Sequence, residues 1–119
     1  MEISFYSIDN EKNEISFKTE AHYEGEYLVF EDTVVSNTLI FLKAKEDDIE
    51  LLRKGKIDMS LVLKMERDGY LKYKDEKVYF ELGAKTNEIS VKSDEIYFNY
   101  DLIDDNYVVG SHKIWIKLH

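Results

Sequence analysis

Arg53 closes the strand-like segment Ile49 to Arg53, immediately before the turn Lys54-Gly55-Lys56. A guanidinium placed there, at the rim of a pocket, offers a planar fork for a carboxylate or phosphate. The same group also suits a simple ion pair, because 25 acidic side chains outnumber 16 basic ones. Tyr97 and Tyr100 fall on opposite faces of one strand, so a single hydroxyl at most reaches a cavity, and Tyr100 is the candidate. His22, His112 and His119 show no pair on one strand face with a carboxylate beside it, so no metal site is expected. Gly110-Ser111-His112 brings a hydroxyl and an imidazole together in sequence, but adjacent strand residues point opposite ways and no nucleophile-elbow motif surrounds them. Asp47-Asp48 and Asp104-Asp105 are sequence neighbours, which cannot flank a scissile bond from two sides. Asp101, Asp104, Asp105 and Asn106 lack the alternating ligands and central glycine of a calcium loop. The 5 glycines are scattered one to a turn and form no phosphate cradle. No acid, base and nucleophile converge, so the expectation is a protein without catalysis, cofactor or metal.

The elements that must position these groups belong to one domain. A chain of 119 residues, 44% hydrophobic and 13% aromatic, has enough apolar surface for one core spanning residues 1–119. Its net charge of −9 repels phosphate backbones and anionic headgroups, so neither nucleic acid nor membrane is an expected partner. Tyr70, Lys72, Tyr73 and Lys74 interleave aromatics with cations as single-strand binders do, yet such a strand is more often a sheet surface with cross-strand ion pairs. The absence of cysteine fits a reducing compartment, and Met1-Glu2-Ile3-Ser4-Phe5 shows no basic n-region or long apolar run. A cytoplasmic location is therefore expected.

Period-two alternation dominates the chain, and it reads as strands. Ile15, Phe17, Thr19, Ala21 and Tyr23 share one face; Ile57, Met59, Leu61, Leu63 and Met65 share another. Asp68-Gly69 follows, a dipeptide suited to a type I′ hairpin turn. Val78, Phe80 and Leu82, then Ile89 and Val91, then Ile96, Phe98, Tyr100 and Leu102, and finally Ile114, Ile116 and Leu118 continue the pattern. About nine or ten short strands with hardly any helical period make the fold all-β and antiparallel. Asp47 to Gly55 reads equally as a capped helical turn or as a strand through Ile49 to Arg53. Phe5, Phe17, Tyr23, Tyr27, Phe41, Met59, Met65, Phe80, Phe98 and Tyr100 are the bulky candidates for the interior. Leu28, Phe30, Ile40, Leu42, Val62, Tyr79 and Trp115 fall on nominal outer faces.

Ile15-Ser16-Phe17-Lys18-Thr19-Glu20-Ala21-His22-Tyr23, Leu52-Arg53-Lys54-Gly55 and Ile96-Tyr97-Phe98-Asn99-Tyr100-Asp101-Leu102, in that order, resemble the YwiB-like family of bacterial proteins of unknown function. The resemblance runs from about Ile3 to Leu118. It implies a calycin-like (lipocalin-like) closed antiparallel β-barrel of about eight to ten strands, and it favours the strand reading of Ile49 to Arg53. A lipocalin-type Gly-x-Trp signature near the chain start is missing, so the likeness stops short of lipocalins proper. Calycin barrels often hold small ligands; by that analogy the expected function is binding of a small apolar or amphipathic ligand inside the barrel, at Arg53, Tyr100, Phe98, Tyr23 and Phe17. The alternative is a protein-interaction or homodimerisation module working through apolar residues on the outer faces.

The alternation predicts that Leu61→Asp unfolds the domain, since a carboxylate is driven into the core, whereas Lys64→Asp shifts stability by no more than about 0.5 kcal/mol. Urea unfolding of the two variants measures this; equal effects mean that the strand register is wrong.

Overall fold

A computed structural model describes residues 1–119. Ten strands follow one another: β1 (Glu2–Asp9), β2 (Glu14–Glu24), β3 (Tyr27–Glu31), β4 (Thr38–Lys45), β5 (Asp48–Gly55), β6 (Asp58–Lys64), β7 (Gly69–Lys74), β8 (Tyr79–Val91), β9 (Glu95–Asp104) and β10 (Tyr107–Leu118). Each pairs antiparallel with its sequence neighbours, and β1 pairs with β10 from Ile3–Leu118 to Asp9–His112, closing the sheet into a barrel. Because the strands run alternately up and down, the turns β1–β2, β3–β4, β5–β6, β7–β8 and β9–β10 gather at one mouth, here the upper one. The remaining turns and both termini lie at the lower mouth. There is no helix, and so none long and apolar enough to cross a membrane.

Residues 48–55, ambiguous in sequence, form strand β5; Ile49 and Leu51 point inward, and the cap-like residues at 47 and 55 flank turns instead. The segments around Phe80 and Ile89 are one strand, β8, carried through a bulge between Thr86 and Glu88 where the register against β9 shifts. In the β6–β7 turn the left-handed residue is Glu66 (φ 60°), not Gly69. Gly69 serves another need: a Cβ there would meet the Val62 carbonyl oxygen at 2.1 Å, so only glycine lets the two strands approach. Asp105 and Asn106 (φ 50° and 67°) make the tight β9–β10 hairpin turn.

Two strands face opposite to the expectation. Leu28 and Phe30 of β3 and Ile40 and Leu42 of β4 are fully buried inside, while Tyr27 and Phe41 stand on the outer wall, where the Tyr27 hydroxyl donates to Glu50 Oε1 at 2.7 Å. Both parities of Tyr27-Leu28-Val29-Phe30 and Leu39-Ile40-Phe41-Leu42 are apolar, so alternation carries no information about which faces in. Tyr23, Met65 and Phe80, also expected inside, are exposed at the two mouths. Trp115 faces outward as expected, between Tyr6 and Tyr97.

The interior is packed around Ile3, Ile49, Leu61, Leu63, Phe98 and Ile116, whose relative exposure is 0%. Phe5 stacks on Phe17 at 4.8 Å between ring centroids and Phe30 packs against both, supplying the bulk that a barrel of this strand number requires.

Candidate functional site

Apolar filling stops one layer below the upper mouth. Along β5 the inward positions run Ile49, Leu51, Arg53; along β9 they run Ile96, Phe98, Tyr100; along β10 they run Ile116, Ile114, His112. Strand pleating therefore delivers a guanidinium, a phenol and an imidazole to the same height. Thr86 of β8, paired with Tyr100, joins them from the bulge, and Asp32 enters from the turn that follows β3.

Asp32 is almost entirely buried. Its Oδ1 accepts the backbone N–H groups of Val34 (2.9 Å) and Val35 (3.1 Å), which fixes the β3–β4 turn, and its Oδ2 lies 3.5 Å from Arg53 Nε. That contact is an ion pair without hydrogen-bond geometry: Asp32 Oδ2 and Arg53 Nε are both buried and both lack a hydrogen-bond partner, as does Thr86 Oγ1. The Tyr100 hydroxyl is pushed well above the usual tyrosine range by burial, partly offset by the charge of Arg53, so it stays protonated and can donate. His112 stacks on the Tyr100 ring at 5.3 Å; burial pulls its pKa below the ordinary value, against a smaller upward pull from Asp9. The layer can thus hold the polar head of a molecule by charge and hydrogen bonds, but it contains no nucleophile paired with a base.

Of the residues expected to form a site, Arg53 and Tyr100 meet in this layer and Phe98 lies directly beneath as its floor. Phe17 is half-buried in the wall against Phe5, and Tyr23 is 54% exposed at the lower mouth, so neither shares the layer. Asp32, Thr86 and His112 escaped sequence reasoning. Asp32 follows a strand without belonging to one, Thr86 falls where the alternation of β8 breaks, and His112 drew attention only as one of three scattered histidines and as a neighbour of Ser111. Ser111 itself donates to Asp101 Oδ1 at 2.7 Å on the outer side.

The comparisons agree on the fold. A family model described as a domain of unknown function, DUF1934, matches residues 3–116. The solved structure of the ywiB protein from Bacillus subtilis superposes with a TM-score of 0.74 at 18% sequence identity, over 97% of this chain and 87% of that one. Among curated proteins none matches. The resemblance read from the three ordered sequence segments and the expectation of a closed antiparallel barrel are both borne out.

Burial gives His112 a testable sign. The folded protein holds it neutral, the unfolded chain binds the proton more readily, and so its contribution is present above about pH 6.5 and is lost as pH falls below that value. From about pH 7 to about pH 5.5 the unmodified protein is expected to lose more stability than His112→Gln, measured by urea unfolding. Equal losses would show that His112 titrates alike in both states.

Proposed function

The chain belongs to the DUF1934 family, and we propose that it is a non-catalytic binding module that takes a small amphipathic molecule, head first, into the polar layer at the upper mouth. One observation carries the reading: three buried polar atoms, Asp32 Oδ2, Arg53 Nε and Thr86 Oγ1, have no hydrogen-bond partner within the protein. Leaving such a group unpaired costs about 1–3 kcal/mol, and folded proteins rarely leave several in one place. A ligand head with acceptor and donor atoms would offset that cost. The filled interior favours the mouth over the depth of the barrel as the place for the ligand. Apolar contact for its tail is available from the row Met59, Tyr73 and Phe80, where the two rings stack at 4.9 Å. A carboxylate suits Arg53 best, because the guanidinium retains donors beyond the Nε that faces Asp32.

The non-catalytic part of the reading rests on the same geometry. Ser4 Oγ and His119 Nε2 lie 2.8 Å apart, but on the exposed outer side near the lower mouth and without a third group hydrogen-bonded to the imidazole.

Thermal unfolding in the presence of a medium-chain fatty carboxylate, and of the alcohol of equal length, tests the proposal. The carboxylate is expected to raise the melting temperature in a concentration-dependent way and the alcohol is not. Arg53→Lys, which keeps the charge and loses the fork, is expected to weaken the effect about tenfold. No shift with the carboxylate, or an equal shift with the alcohol, overturns it.

A further inference from the structure

The two neighbours of β2 cover it unequally. β1 pairs along it from Glu14 to Glu20, but β3 pairs only from Ala21 to Glu24, so the first half of β2 has a strand on one side alone. Hydrogen bonds at the ends of the β1 ladder show which backbone groups face the open side. The Asp9 N–H donates to the Asn13 carbonyl at 3.2 Å, and the Ala21 N–H donates to the Met1 carbonyl at 2.7 Å. Odd-numbered residues of β2 therefore turn N–H and C=O toward β1, and the even-numbered Glu14, Ser16 and Lys18 turn theirs away from it. The β3–β4 turn, whose Asp32 is buried against Arg53, supplies no backbone partner for them. All three residues are exposed. Their inward-facing neighbours Phe17 and Thr19 also stay partly accessible, whereas Phe5 and Ile3, which pair with them, are buried.

An unpaired edge of this kind is a template for another strand. We propose that it pairs with the same edge of a second copy of this chain, antiparallel and centred on Ser16, in an isologous dimer. The backbone and the charges select the same register. Outward-facing groups meet only where an even-numbered residue stands opposite an even-numbered one, and centring on Ser16 engages Glu14, Ser16 and Lys18 together. Glu14 then faces Lys18 of the partner subunit, Ser16 faces its own symmetry mate, and Lys18 faces Glu14 of the partner subunit. Centring on Phe17 would instead oppose Glu14 to Glu20 of the partner subunit, two like charges. Neither Glu14 nor Lys18 is engaged in an ion pair within one chain. Glu14 accepts the Tyr6 hydroxyl through Oε1 at 2.9 Å, which leaves Oε2 for the lysine across the seam. The two-fold axis is perpendicular to the sheet, so outer faces stay outer, and on the inner side Ile15 meets Phe17 of the partner subunit.

Cross-linking tests the register directly, because the chain has no cysteine of its own. Facing residues at the centre lie about 5.5 Å apart between Cα atoms, within disulfide range. Ser16→Cys is expected to form a linked dimer in oxidised glutathione. Lys18→Cys is equally exposed, but its two copies stand about 14 Å apart along the strands, and it is expected to remain unlinked. In sedimentation velocity, Lys18→Glu is expected to weaken association at least tenfold, and adding Glu14→Lys to the same chain restores it, since each chain supplies both partners. Ser16→Pro is expected to fold, because the N–H it removes is unbonded within one chain, and to sediment as a monomer. The exposed charge variants carry the test even if the proline perturbs folding. A monomer at every concentration, linkage of Lys18→Cys as ready as that of Ser16→Cys, or a dimer indifferent to Lys18→Glu overturns the proposal.

Discussion

Closure of the sheet between β1 and β10 is the constraint on which everything else depends. Once Ile3 pairs with Leu118 and Asp9 with His112, no apolar strand edge is left at the join, but the barrel encloses a volume that must be filled or wetted. A ten-stranded wall is wide, and aliphatic side chains alone would leave gaps. The rings of Phe5, Phe17, Phe30 and Phe98, drawn from four different strands, close the middle. Without them the residues with no accessible surface would line a void, at a cost that grows with its volume.

Filling is uneven along the axis, and that unevenness creates the site. At the lower mouth the inward positions remain apolar, with Leu28, Leu42, Ala44, Val91, Ile96 and Leu118 gathered around a small hollow. At the upper mouth the same strands end in Arg53, Tyr100 and His112, and the turn after β3 contributes Asp32. Removing Arg53 would leave the buried Asp32 carboxylate without its counter-charge, so the pair ties the turn to the mouth. In the proposed binding role, the polar atoms that this rim leaves without partners, Asp32 Oδ2, Arg53 Nε and Thr86 Oγ1, are the ones a ligand head would satisfy.

Strand count, direction and closure were legible in the sequence because they rest on alternation, which is strong in β2, β6 and β9. The site was legible only in part. Arg53 and Tyr100 stood out as single residues of suitable chemistry, and their common height came from register, which depends on pairing across strands far apart in sequence. Where both parities of a strand are apolar, as in β3 and β4, the wrong face was read as inner; neighbouring strands decide that question, not local composition. Asp32 and Thr86 sit at a turn and a bulge, where periodic reading ends, so nothing in their local pattern marked them.

The most direct measurement is a crystal structure of the protein as purified, at a resolution that shows ordered small molecules. A filled barrel with a binding layer at one mouth predicts ordered density against Arg53, Asp32 and Thr86, and side chains alone between Leu61 and Phe98. A molecule or an open channel deep among Phe5, Phe30, Leu61 and Phe98, with Arg53 and Asp32 instead fully satisfied by each other, would contradict it.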